Sequence, residues 1–330
     1  MTLHQEPQLF RESIEATAQH LRLRSVFVEK DYWVTYVLRN LSLSSYRNTV
    51  VFKGGTSLSK AYECIDRFSE DIDLAILSPQ DYTGNQLRNR LKDVSEALSS
   101  GLIILAGHPS EKKQGRMRAT ALGYPKAIQG NYGVMKDYVL LEINCFTDPV
   151  PHLVLPISCY IAKFFQQIGE QQLITEHGLE PVTINVLSLQ RTFFEKMLSL
   201  NRLSYEGNDK LLEKIRHFYD LHQVYHLPGQ TTPILHPDHY SILQNARQND
   251  LGNTVMHGAW IGQRIQDSPL FTNLEAIWRM MSPSYQTELG ELIWTGQLPP
   301  PEAVLAVLKE TRTFAIAFDA AHPPQRKENS

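Results

Sequence analysis

The feature that most constrains this chain is Lys53-Gly54-Gly55-Thr56-Ser57, followed after thirteen residues by Asp71-Ile72-Asp73-Leu74. The β-branched and aromatic run Thr49 to Lys53 predicts a strand that stops abruptly at Gly54-Gly55, and Thr56-Ser57-Leu58 leads into a helix through Cys64. Asp71 to Leu77 predicts a second strand, with Asp71, Asp73 and Ala75 on one face and Ile72, Leu74 and Ile76 on the other. Glycines between a strand and a helix let the backbone approach a phosphate. The N–H groups at the helix start, with the hydroxyls of Thr56 and Ser57, suit its oxygens. Two carboxylates on one strand face suit a hard cation shared with triphosphate oxygens, and their mutual repulsion calls for such a cation. Alone, a Gly-Gly reads as a tight turn and a DxD as a chance surface pair. The order strand, turn, helix, strand makes them one signal.

The 330 residues suit two domains better than one minimal core, and 42% hydrophobic with 20% charged residues marks a globular chain. A net charge of -3 gives no global field for nucleic acid, although a local basic face is compatible with it. Cys64, Cys145 and Cys159 cannot all pair and form no CxxC, which predicts a reducing, cytoplasmic setting. His4, Gln5 and Glu6 stand where a signal peptide would need a basic start and an apolar core, and no apolar run reaches membrane-span length. No membrane association is expected.

Apolar rhythm predicts helices over about Gln8 to Leu23 and Val28 to Leu41, then a polar helix over about Asn85 to Leu98. A hairpin arm with Lys112, Lys113, Arg116 and Arg118 and a strand from Tyr138 to Phe146 complete the first region. Asp148-Pro149-Val150-Pro151 and Pro156 punctuate the chain, so a domain boundary is placed near residue 155. Beyond it come a short strand, Val182 to Leu187, a helix over about Gln190 to Leu203 and a periodic helix from Asp209 to Tyr225. The fold class is α+β: a mixed sheet with flanking helices over residues 1–155, then a mainly helical domain over 156–330. A polar tail, Pro323 to Ser330, is expected to fray.

The stretches FKGGTSLSKAY and RFSEDIDLAI resemble the nucleotidyltransferase-fold toxins of the AbiEii/AbiGii group, including the MenT-type toxins, within the DNA polymerase beta superfamily. Glu29-Lys30-Asp31 matches an EKD motif of that group, and Glu195-Lys196-Met197 with Arg216-His217-Phe218-Tyr219-Asp220 matches its later helix pair. The resemblance runs from about Val28 to Val224. It implies a cleft between the two domains holding an NTP substrate and Mg2+, with Mn2+ as a substitute, and transfer of a nucleotide to an acceptor hydroxyl with release of pyrophosphate. Asp71 and Asp73 would ligate the metal with Ser69 beside them, and Lys196 would sit against the triphosphate. Asp220 would hold that lysine or act as base. The superfamily's third carboxylate maps to Glu142. The acceptor implied is RNA, the 3′ end of tRNA, in a toxin of a toxin–antitoxin or phage-defence system with a cognate antitoxin.

Each assignment has a plainer reading. Lys196 reads alone as a solvated helix lysine, Asp220 as an (i, i+4) partner of Arg216, and Glu142 as a solvent-facing strand residue. Arg67 suits a phosphate or an ion pair with Glu63 or Glu70. His222 and His226 have the spacing of a zinc pair but lack an HExxH glutamate and a third ligand. The basic arm suits an RNA backbone or mere solubility, Tyr124 and Tyr132 suit base stacking or packing, and Phe193, Phe194, Phe218 and Tyr219 suit a helical core. Two other functions fit the residues: nucleotidylation of a protein hydroxyl, and nucleotide or antitoxin binding without catalysis. A zinc hydrolase on the histidine pair is the remaining alternative.

Overall fold

Short β-branched runs pair into an eight-stranded sheet in a computed structural model of the protein, which describes residues 1–130, 135–146, 148–253, 256–290, 292–294 and 296–323. Tyr132 and the tail beyond residue 323 lie outside the described residues. The strands are β1 (Val50–Lys53), β2 (Ile72–Ile76), β3 (Ile103–Ile104), β4 (Lys112–Gln114), β5 (Met117–Gly123), β6 (Val139–Asn144), β7 (His152–Ile157) and β8 (Val182–Leu187). Their order is β3-β5-β6-β2-β1-β8-β7, with β4 paired to β5. β1 lies antiparallel to β2 and parallel to β8, while β2 lies parallel to β6. The sheet is therefore mixed, as expected.

Helices α1 (Pro7–Leu21), α2 (Ser25–Leu43), α3 (Gly54–Lys60), α4 (Gly84–Leu98), α5 (Tyr160–Ile168) and α6 (Gln171–Glu176) accompany this sheet. Thr83 and Gln86 close a capping box that fixes the start of α4. α2 packs against α1, α4, α5, β6 and β8, so it is buried on nearly every side and carries Glu29, Lys30 and Asp31 into the core. Charges placed there must each find a partner, and they do. Ala127 N–H donates to Glu29 (2.5 Å), Lys30 pairs with Glu70 (3.1 Å), and Asp31 accepts from Lys60 Nζ (2.5 Å) and Tyr160 N–H (2.7 Å). Burial still raises the Glu29 pKa and lowers that of Lys30.

The chain divides into two compact units, Met1–Glu63 with Phe68–Leu187, and Cys64–Arg67 with Ser188–Ser330. The division thus falls after Leu187 rather than near residue 155, because β7 and β8 pair along their whole length and extend the sheet through β1. Pro156 sits in β7, the last strand of the sheet order, and an edge strand tolerates a proline. The second unit contains α7 (Leu189–Leu203), α8 (Asn208–Leu212), α9 (Ile215–Tyr225), α10 (Tyr240–Gly252), α11 (Pro269–Thr272), α12 (Leu274–Gly290) and α13 (Pro301–Ala321). The single periodic helix expected from Asp209 is split into α8 and α9. Phe193, Phe194, Phe218 and Tyr219 are buried there, with Phe194 stacked on Phe314 and Phe218 against Trp278. No helix among the described residues is long and apolar enough to cross a membrane.

Candidate active site

The glycine turn and the aspartate strand meet through backbone register. Lys53 at the end of β1 is paired with Asp73 of β2, and Gly54 follows with φ of 82°, a left-handed conformation that favours glycine. A β-carbon at Gly54 would stand 2.2 Å from Asp73 Oδ2, so the turn leaves room for the carboxylate that a side chain would take. Thr56 Oγ1 donates to the Asp71 carbonyl (2.5 Å) and lies 2.9 Å from Ser69 Oγ, while Ser57 Oγ donates to the Gly54 carbonyl (2.8 Å). Both hydroxyl residues are buried. The two side chains expected to meet phosphate are thus turned inward, where they tie the turn to the residues around Asp71.

Asp73 is aligned with Glu142 on the neighbouring parallel strand β6, and in-register neighbours project to the same side of a sheet. Glu142 therefore shares the Asp73 face. Asp71 lies just before β2, and both of its oxygens accept from Lys136 Nζ at 2.7 Å. The repulsion expected between Asp71 and Asp73 is relieved at Asp71 by this ammonium, which the sequence reading missed. No motif marks Lys136; only the fold brings it there. It is set in place by Glu70, which accepts from the Lys136 backbone N–H (3.1 Å) and pairs with Lys30, while Lys30 Nζ donates to the carbonyls of Lys136 (2.8 Å) and Tyr138. Burial works against the charged form of Lys136, but the bond to Asp71 and the charges of Asp71 and Glu70 outweigh it and raise its pKa.

Asp71, Asp73 and Glu142 offer hard carboxylate oxygens on partly exposed side chains, the donor chemistry that suits Mg2+. Among the described residues, no group of three or more His, Cys, Asp or Glu side chains stands together as a metal set. The His222 and His226 rings lie 4.3 Å apart, with His226 Nδ1 3.0 Å from the His222 carbonyl.

In the second unit the later helix pair converges on one carboxylate. Asp220 on α9 is fully buried and accepts from Arg67 Nε and Nη2, each at 2.7 Å, while Lys196 Nζ on α7 stands 2.9 Å from its Oδ2. Arg67 is itself buried, and the backbone beside it is held by a bridge to Ile293 and by a Tyr219 hydroxyl 2.9 Å from Asp66 N. Arg67 therefore takes neither partner expected for it; Glu63 pairs with Lys163 (2.5 Å) and Glu70 with Lys30. Lys196 is not a solvated lysine: its side chain is 8% exposed. Burial opposes ionisation of Asp220, but the charges of Arg67 and Lys196 prevail and hold the carboxyl well below the usual carboxylate range. A carboxylate so strongly held is a poor proton acceptor, which favours the holding role over the base.

The model of the nucleotidyl transferase AbiEii toxin family, of type IV toxin–antitoxin systems, matches residues 36–306. The chain belongs to this family. It is accordingly a nucleotidyltransferase toxin, and the family implies a cognate antitoxin. The AbiEii match takes in both compact units, extending well past the Val28 to Val224 stretch in which the resemblance was legible, and leaves Glu29-Lys30-Asp31 outside it. No curated protein matches the chain. Among solved structures it is similar to MenT4, a nucleotidyltransferase toxin from Mycobacterium tuberculosis H37Rv, at 16% identity over 89% of this chain and 98% of that one, with a TM-score of 0.45.

Proposed function

We propose that this AbiEii-family enzyme transfers a nucleoside monophosphate from an NTP to a hydroxyl of RNA, the 3′ end of tRNA, as a toxin whose wider role is defence against phage. Asp71 and Asp73 would hold Mg2+ or Mn2+, with Glu142 beside Asp73 as the third carboxylate. The observation that carries this reading is the fit of Gly54 around Asp73. A turn that leaves space for one carboxylate, with a second just before the same strand and a third in register on the next, is hard to explain by folding alone. The divalent ion, when bound, supplies charge neutralisation on the phosphate oxygens.

The protein's own residues have separate tasks. The backbone at Lys53, Gly54 and Gly55 lets the triphosphate approach closely, with Thr56, Ser57 and Ser69 keeping the turn in shape. By the family resemblance Lys196 would stabilise the negative charge that develops on the leaving pyrophosphate. Asp220 and Arg67 position Lys196, because an ammonium held by a buried carboxylate keeps its orientation.

Incubation with bulk bacterial RNA, MgCl2 and each α-labelled NTP in turn, beside an Asp71→Asn/Asp73→Asn control, tests this reading. Label on small RNA that is absent in the control is the expected result and names the nucleotide. Label on protein alone would instead make the acceptor a protein side chain, and no label anywhere would remove the case for transfer.

A further inference from the structure

A second cationic site lies in the first unit, in a groove formed by α4 and the β4–β5 hairpin. Its charged lining consists of Arg88 and Lys92 from the helix and Lys113 and Arg118 from the hairpin; the other lining side chains are amides or aliphatic, and no carboxylate lines it among the described residues. Arg88 and Lys92 are spaced i, i+4 on one helix face. Lys113 and Arg118 are directly opposite one another in the antiparallel ladder. Each is a like-charge juxtaposition that is destabilising in an isolated helix or sheet. Here the two pairs converge.

Two carboxylates beside the groove offset part of this charge. Glu96 is 3.8 Å from Lys92, with both side chains more than half exposed, and Glu111 is 2.7 Å from Lys113. Arg118 Nε is buried and makes no hydrogen bond among the described residues. Two of the three arginines lining a cavity in the second unit are treated differently: Arg202 pairs with Asp250 and Arg247 with Asp319. Cations gathered in a groove with no carboxylate in its described lining are an anion site in the making, and four of them along two elements suit a chain of phosphates better than a single small anion. A protein partner would need an apolar anchor, whereas among the described residues the apolar lining is limited to Leu91, which is buried, and the half-buried Met117.

We propose that this groove binds the ribose-phosphate backbone of the RNA acceptor, with Arg88, Lys92, Lys113 and Arg118 each meeting phosphate. The proposal rests on the reading of RNA as acceptor. The groove is a positioning surface and not part of the carboxylate face. Arg118 is paired with Ile143, one row from the row of Ala119, Glu142 and Asp73, so its side chain points to the opposite side of the sheet. Contacts of this kind fix register along the nucleic acid without reading its bases, and they supply binding energy away from the reacting atoms.

Fluorescence anisotropy of labelled bulk bacterial tRNA, titrated with the full chain between 50 and 200 mM NaCl, tests this directly. The proteins compared are the unaltered chain, Arg88→Gln/Lys92→Gln, Lys113→Gln/Arg118→Gln and Asp71→Asn/Asp73→Asn. Each groove variant should lower the slope of log K against log salt by about 2, since each lost phosphate contact removes about 1. The aspartate variant should bind tRNA undiminished. Arg88, Lys92 and Lys113 are exposed, so the helix variant should melt no earlier than the parent and gives an answer even where the hairpin variant misfolds. Unchanged slope and affinity in a folded helix variant, with the parent labelling RNA, would overturn the groove and leave the function standing. A parent that binds no tRNA and labels only protein would bring down both together. Binding of a labelled poly-glutamate peptide that both groove variants abolish, with tRNA binding unaffected, would also overturn the proposal by making an acidic protein the occupant.

Discussion

Lys136 holds both carboxylate oxygens of Asp71 at 2.7 Å, placing a protein ammonium where a nucleotidyltransferase is expected to hold a metal ion. Both side chains are about one-third exposed, so in the absence of metal the pair contributes no more than about 1 kcal/mol. Its consequence lies in competition. Lys136→Met should lower the melting temperature of the metal-free protein only slightly, yet give a larger rise in melting temperature on addition of MgCl2 than the parent shows. Equal shifts in the two proteins would mean that Lys136 and the cation do not share Asp71.

Asp220 and Lys196 should separate stability from activity. Asp220→Asn leaves the buried cations Arg67 and Lys196 without their carboxylate and should cost about 3–5 kcal/mol, read as a lower urea midpoint. Lys196→Met leaves Asp220 its two-pronged bond from Arg67, so the fold should survive while transfer falls by about 10²–10³-fold. Near-normal transfer by a folded Lys196→Met protein would remove this lysine from the reaction.

The same neighbourhood should make stability depend on pH. Burial and then the charge of Lys196 push the half-buried His217 well below its ordinary 6.5, so in weak acid the unfolded chain binds a proton that the folded chain refuses. His217 therefore costs nothing above about pH 6.5 and destabilises progressively as the pH falls below it. His4 and His222 are lowered too and add to the slope. Asp220 acts in a lower window: its depressed carboxyl stabilises the fold above its ordinary 3.8 and loses that contribution in stronger acid. Melting temperatures measured from pH 7.5 to 5 should fall, and less steeply in His217→Gln. An identical profile in that variant would assign the acid sensitivity elsewhere.

Gly54→Ala should damage transfer more than folding. The alanine must adopt φ near 82°, at about 1–2 kcal/mol, and its β-carbon would displace the Asp73 carboxylate from a position 2.2 Å away. Because Asp73 is the flexible partner, the chain should fold with a modestly lower melting temperature while Mg2+-dependent transfer is lost. Retained transfer would mean that the packing of Asp73 on Gly54 has no part in the chemistry.

Much of this was legible in the chain itself. A β-branched run ending in Gly54-Gly55 and a strand alternating Asp71, Asp73 with Ile72, Leu74 are local patterns, and local backbone chemistry is enough to determine them. The strand Val182–Leu187, the polar helix α4 and the aromatic core of the second unit were readable for the same reason. The β7 strand was not, because a proline that breaks a central strand is harmless on an edge, and only pairing decides which strand is the edge. Nor could spacing show that Thr56 and Ser57 turn inward, that Arg67 clasps a carboxylate 153 residues away, or that Lys136 closes on Asp71. Side-chain type and period determine the elements one by one. The partner of a buried charge is decided only when the fold removes it from water and leaves a single counter-charge within reach.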